Sequence, residues 1–119
     1  MQDLDEYAGE QFCYLTTTGR VSGRAHEIEI WFALDGTTLY MLAGNHGSDW
    51  VKNIQQQPNV SVRLRDRVFH GRGRIVAAGS AEDERARLLV GPKYGEWRDG
   101  QARRGWTWTA LPVAVDLEL

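Results

Sequence analysis

From His26 to Leu34 the chain alternates residue by residue: His26, Ile28, Ile30, Phe32 and Leu34 share one face, and Glu27, Glu29, Trp31 and Ala33 share the other. A period of two is the mark of a strand with one face in a core, because a one-residue slip would turn the whole apolar set toward water. Its neighbours carry related patterns. Gln11 to Thr18 is β-branched, aromatic or small and reads as a first strand. After the hairpin signal Asp35-Gly36, "TTLYMLAG" reads as a third strand paired with the second.

A second hairpin is predicted in "VSVRLRDRVFHGRGRIVAAG", turning about Asp66-Arg67, with Val60, Val62, Leu64, Phe69 and Ile75 on one face. Gly71 and Gly73 fall on that inner face, where a missing side chain lets the sheet bend or another group approach closely. "TALPVAVDLEL" alternates as a closing strand. Two helices interrupt the strands. In "NHGSDWVKNIQQQPNV", Ser48 is the predicted cap, Val51 and Ile54 the apolar side and Pro58 the stop. In "SAEDERARLLVGPKYGEWRDG", Ser80 precedes acidic residues in the first turn and arginines follow. The whole predicts an α+β chain: a six-stranded antiparallel split β-barrel with two flanking helices, Ile28, Ile30, Phe32, Val60, Val62, Leu64 and Ile75 being buried in its core. With 119 residues and no repeat or linker, residues 1–119 are expected to form one domain.

Charge narrows the partners. A formal net charge of -2 and a pI near 5.9 argue against a general binder of nucleic acid or anionic membranes, so any anion site has to be local. No apolar run reaches the roughly 18 to 20 residues needed to span a bilayer, and the acidic start "MQDLDEYAGEQ" is unlike a signal peptide; a cytoplasmic location is expected. The single cysteine, Cys13, excludes an intramolecular disulfide and reads as a buried, inert thiol.

Two connections have the composition of anion sites. In "TGRVSGR", Arg20, Ser22, Gly23 and Arg24 offer turn amides beside guanidinium groups, although an ordinary hairpin with exposed arginines has the same composition. In "GNHGSDW", Gly44, Asn45, His46, Gly47 and Ser48 lead a strand end into a helix start, where free amides and the helix dipole favour an anion; Lys52 lies one turn in. His26, Glu27 and Glu29 have ligand chemistry, but His26 is on the opposite strand face from the glutamates, so no metal site is expected. Arg63, Arg65, His70, Arg72 and Arg74 form an outward face read as solvated and partly neutralised by neighbouring acids, the other reading being a site for a polyanionic tail or nucleic acid. Tyr94, Trp97, Trp106 and Trp108 are either core and lid packing or aromatic walls for a planar ligand. No motif of covalent or hydrolytic catalysis is present.

The ordered series T-T-G-R-x-S-G-R, strand, D-G, strand, then W-x-x-N-(apolar)-(three residues)-P-x-V resembles the deazaflavin-dependent nitroreductase and quinone reductase family of the flavin-binding split barrels. The resemblance runs from about Phe12 to Val76. It implies that the glycine-arginine turn and the loop before the short helix hold the phosphate end of coenzyme F420: Arg20, Ser22, Gly23, Arg24 and His26 on one side, Gly44, Asn45, His46, Gly47, Ser48, Trp50 and Lys52 on the other. It also implies hydride transfer to a small electrophilic acceptor (quinone, nitroaromatic or enone) with no dedicated catalytic residue, and Glu27, Glu29 and Trp31 as the wall nearest the ring. The chain departs from the family where Ala25 and His26 stand for the usual proline and arginine, Glu29 for a proline and Trp31 for a tyrosine, and its loop after Gly44 is shorter. FMN, or haem, is the alternative ligand. Trp31 on an outer strand face points to a homodimer.

Overall fold

The computed structural model describes residues 4–94 and 106–118. Seven strands form one antiparallel sheet: β1 (Phe12–Thr18), β2 (Ala25–Trp31), β3 (Ala33–Asp35), β4 (Thr38–Ala43), β5 (Asn59–Leu64), β6 (Arg67–Ile75) and β7 (Leu111–Glu118). Helix α1 (Asp49–Gln56) follows β4, α2 (Ala81–Val90) follows β6, and a helical turn α3 (Trp106–Thr109) precedes β7. The spatial order is β2-β1-β5-β6-β7-β4-β3. Its two ends, β2 and β3, are joined in the chain by Phe32 alone, so the sheet has to curl until its edges nearly meet. That is a split barrel.

The strand count corrects the expectation of six. The alternating run from His26 to Leu34 is not one strand, since Phe32, fully buried, is a corner at which the chain leaves the β1 side and joins the β4 side. The "TTLYMLAG" strand therefore pairs with β3 and β7 rather than with β2. Helix α2 covers its outer face. There Tyr40 and Leu42 pack with Val76, Ala86, Val90 and Ala114, while Leu39 and Met41 enter the barrel with Val113 and Val115. A strand buried on both sides reads as a continuous apolar run.

The barrel interior holds Cys13, Leu15, Phe32, Val60, Val62 and Leu64, whereas Ile28, Ile30 and Ile75 are half-buried and pack against that core from its margin. Edge position explains the two isoleucines of β2, which has a sheet neighbour on one side only. The inward glycines do let other groups approach: a Cβ on Gly73 would stand 2.8 Å from Ile54 of α1, and one on Gly71 would stand 2.7 Å from Val115. The second hairpin turns at Arg65-Asp66, one residue earlier than expected, with Arg65 in the left-handed region at φ 57. Ser80 caps α2 by accepting from the Asp83 amide at 3.1 Å, whereas Ser48 occupies the cap position of α1 without a side-chain capping bond.

The outward arginines have partners. The Arg63 guanidinium lies 4.1 Å from the Tyr14 ring centre, Arg65 donates to the Glu6 carbonyl at 2.9 Å, and Arg72 donates to Asn59 at 3.2 Å. Arg74 is clasped by Glu82 and Asp116. Burial pushes the Cys13 thiol up to about 12, which leaves it a neutral core residue. Of the aromatic cluster, Trp97 and the Tyr94 side chain lie outside the described residues.

Candidate functional site

A cleft of about 620 Å³ opens where the β1–β2 connection meets α1. It is lined by Thr17 at the end of β1, by Gly19, Arg20, Val21 and Ser22 of that connection, by Ala25 to Ile28 of β2, and by Asp49, Trp50 and Asn53 of α1. The connection is tightly wound. The Gly19 amide donates to the Arg24 carbonyl at 2.8 Å, the Gly23 amide to the Gly19 carbonyl at 2.9 Å, and the Arg24 amide to Ser22 Oγ at 3.2 Å. Gly23 has φ +72, a conformation that L side chains rarely adopt. Ser22 and His26 fold over Gly19 so closely that a Cβ there would stand 2.6 Å from Ser22 Oγ and 2.9 Å from His26 Nε2.

The loop is tied to α1 by one asparagine. Asn53 Oδ1 accepts from the Arg20 backbone amide at 3.1 Å and from Arg20 Nη1 at 2.8 Å, and Asn53 Nδ2 donates to Thr17 Oγ1 at 3.2 Å. Arg20 also pairs with Asp49 at 3.2 Å. Its guanidinium is thus engaged within the protein. Arg24 is exposed at the cleft's lip and makes no ion pair among the described residues.

Of the residues singled out in the sequence, the cleft gathers Arg20, Ser22, His26, Glu27 and Trp50. Gly23 and Arg24 stand just beyond its lining, in the same connection. The Gly44 to Ser48 loop leads into the adjoining helix start, and its polar atoms are used to shape it. Asn45 Oδ1 accepts from the Gly47 amide at 2.8 Å, and Ser48 Oγ donates to the Asn45 carbonyl at 2.7 Å. The loop is braced against α3: His46 Nε2 is 3.1 Å from the Thr109 carbonyl, and a Cβ on Gly44 would stand 2.8 Å from Trp106 Nε1. Lys52 is exposed on the first turns of α1.

Glu29 and Trp31 lie on the outer face of the sheet, in register with Tyr14 and Phe12. Tyr14 donates to Glu29 Oε1 at 3.0 Å, and that bond is the main reason its phenol titrates above the ordinary 10.0. Phe12 is 42% exposed and Val68 54%, so this face carries uncovered apolar surface. His26 pairs with Thr17 on the face opposite Glu27 and Glu29. Among the described residues no group of three or more His, Cys, Asp or Glu side chains is placed to hold a metal ion.

Asn53, Thr17 and Asp49 were missed by sequence reasoning. The available signal for Asn53 was its place three residues after Trp50, which puts both on adjoining turns of one helix side. The cleft's lining holds hydroxyl and imidazole groups from Ser22 and His26, the carboxylates of Glu27 and of Asp49, the latter paired with Arg20, and apolar surface from Val21, Ile28 and Trp50, beside the start of α1, whose first-turn amides have no partner within the helix. Its volume lies within the range of small-molecule and cofactor sites. A flat ring with an anionic tail fits that donor set.

Residues 4–118 match the family described as F420H(2)-dependent quinone reductase. Among solved structures, one described as an F420-H2 dependent reductase is similar at 24% identity, with a TM-score of 0.64 over 92% of this chain and 95% of that one. The haem storage protein HutZ of Vibrio cholerae aligns at 18% identity and a TM-score of 0.73, covering 98% of this chain and 88% of that one. A third structure, described as a domain-swapped dimer, aligns at 24% identity and a TM-score of 0.65 over 92% of this chain and 81% of that one.

Proposed function

The chain belongs to the F420H2-dependent quinone reductase family and is an F420H2-dependent oxidoreductase; from that premise we propose that its cleft between the β1–β2 connection and α1 seats the cofactor and that its acceptor is a small electrophile, a quinone, nitroaromatic or enone. The observation that carries the site assignment is the meeting of the arginine-bearing connection with a helix start in one cavity. When bound in its reduced form, F420H2, the cofactor would supply the hydride and leave as oxidised F420, which fits a chain without a nucleophile-base pair in its motifs.

The protein's part is binding and orientation. Arg24, Ser22, His26 and the first-turn amides of α1 hold the anionic end, and Lys52 adds positive charge beside it. Gly23, Gly44 and Gly47 keep the two connections slim, while Asn45, His46 and Ser48 fix the shape of the second. Ile28 and Trp50, both half-buried, form the apolar wall on the ring's side. Glu27, which shares the cleft's lining, and Glu29 and Trp31 farther along the outer face of β2 stand on the acceptor's side in this reading.

The working form in this proposal is a cytoplasmic homodimer of single-domain chains that binds no nucleic acid. Supporting it are the exposed Phe12 and Val68 on the outer sheet face, the half-buried Trp31 in register with Phe12, and the internal pairing of the outward arginines. Phe12→Glu is expected to convert dimer to monomer by light scattering, and a wild-type monomer at micromolar concentration would sink the dimer. Among the described residues no helix is long and apolar enough to cross a membrane.

Titration with F420 and with FMN, each followed by fluorescence, tests the site, and oxidation of F420H2 with menadione or a nitroaromatic tests the acceptor class. Saturable F420 binding with turnover supports the reading. Tight FMN or haem binding without F420 binding would replace it.

A further inference from the structure

We propose that Asn53 is the positioning residue of the cleft, a latch that holds the Arg20 to Arg24 lip in its binding shape, and that Arg20 is the latch's partner rather than a ligand contact. Asn53 is 3% exposed and Thr17, its other partner, 1% exposed. Two donors from Arg20 converge on Oδ1, which fixes the amide's orientation and leaves Nδ2 for the threonine hydroxyl. One buried side chain therefore joins the end of β1, the connection after it and the middle of α1, all three of which line the cleft. The other bonds recorded for the connection run between its own residues or, from Arg20 again, to Asp49 on the surface. Asp49 is 87% exposed, so its pair is weak in water, and the buried asparagine carries the anchoring.

The inference rests on the proposed site, because the lip matters to function only if the cleft binds the cofactor. Three variants test it: Asn53→Leu, which removes all three bonds; Asn53→Asp, which keeps both acceptor contacts to Arg20; and Thr17→Val, which removes only the bond between strand and helix. Two readouts are taken on each folded protein: the F420 dissociation constant by fluorescence, and the rate of tryptic cleavage after Arg20 and Arg24, which tracks how often the lip opens.

Asn53→Leu is expected to raise both the dissociation constant and the cleavage rate about tenfold or more, the scale of a lost charge-assisted bond. Asn53→Asp is expected to restore both to within about threefold, and Thr17→Val, which keeps both contacts to Arg20, to leave the cleavage rate well below that of Asn53→Leu. A wild-type cleavage rate in folded Asn53→Leu overturns the latch, as does damage in Thr17→Val equal to that in Asn53→Leu. If the wild-type protein fails to bind F420, the site assignment falls, and the proteolysis arm alone decides whether Asn53 holds the lip.

Discussion

Arg74, on strand β6, and Arg24, in the connection between β1 and β2, are in opposite circumstances. Arg74 of β6 is gripped by two carboxylates: its Nη1 and Nη2 reach Glu82 at 2.6 and 2.7 Å, and its Nε reaches Asp116 at 2.8 Å. Tyr40 donates to the same Glu82 at 2.7 Å, and Thr38 to Asp116 at 3.2 Å. This network fastens α2 to the outer side of β4, β6 and β7. In the connection after β1, Arg20 is spent on an asparagine and a surface aspartate, and Arg24 has no ion pair among the described residues. The number of arginines in a segment therefore says little about anion binding. What separates a brace from a site is whether carboxylates of the same chain already surround the guanidinium.

The largest expected effect lies at the site. Arg24→Ala should weaken F420 binding by about one to two orders of magnitude, with the melting temperature of the cofactor-free protein unmoved. The loss should shrink at higher salt, since an exposed ionic contact is screened. Titrations at two salt concentrations on folded protein check both points, and unchanged affinity would return the connection to an ordinary hairpin.

Arg74→Ala should do the reverse. It leaves Glu82 and Asp116 facing each other, and because Arg74 is 41% exposed the cost is set at about 1–2 kcal/mol rather than the larger figure of a buried pair. Urea unfolding should show that loss with F420 affinity unchanged. A shift in affinity equal to that of Arg24→Ala would erase the contrast between the two regions.

The acid limb of stability sharpens it further. Hydrogen bonds from Arg74 come first among the causes that hold the Glu82 and Asp116 carboxyls below their ordinary 4.5 and 3.8. The unfolded chain therefore takes up protons first as the solution is acidified. The network's contribution is complete above about pH 4.5 and fades as the pH falls through the lower folded values. The stability gap between wild type and Arg74→Ala should accordingly narrow between pH 6 and pH 3, by less than about 1 kcal/mol. A gap that widened in acid would refute this account. The smallest effect belongs to Asp49→Asn, which removes a carboxylate from the cleft: F420 affinity should rise by no more than about threefold, and stability should change by less than about 0.5 kcal/mol.

The strands were legible because burial on one face imposes alternation, and the helix caps because Ser80 and the acids after it serve the first turn of α2. The break at Phe32 was not legible. Both strands it separates keep the same parity, so the pattern runs through the corner, and only the competition between β1 and β4 for neighbours reveals it. The arginine-bearing connection stood out by composition as a candidate anion site, with an ordinary hairpin as the other reading, yet composition cannot rank Arg20 against Arg24. That ranking depends on Asn53, 33 residues away from Arg20 in sequence, and its place among Trp50, Val51 and Ile54 on one helix does not say which arginine it meets.

Strand β7 lies between β6 and β4, pairing Val113 with both Ile75 and Met41. It is synthesised after every other strand of the sheet, so during translation the edges of β6 and β4 wait unpaired, with Met41 and its apolar neighbours uncovered. Such edges invite pairing with other chains. The sheet's completion is also a contact across more than 70 residues, which places this chain among the slower-folding topologies. Growth at high expression should therefore trap nascent chains at the stage before β7 arrives, and chaperones that shield open strand edges would be the natural remedy.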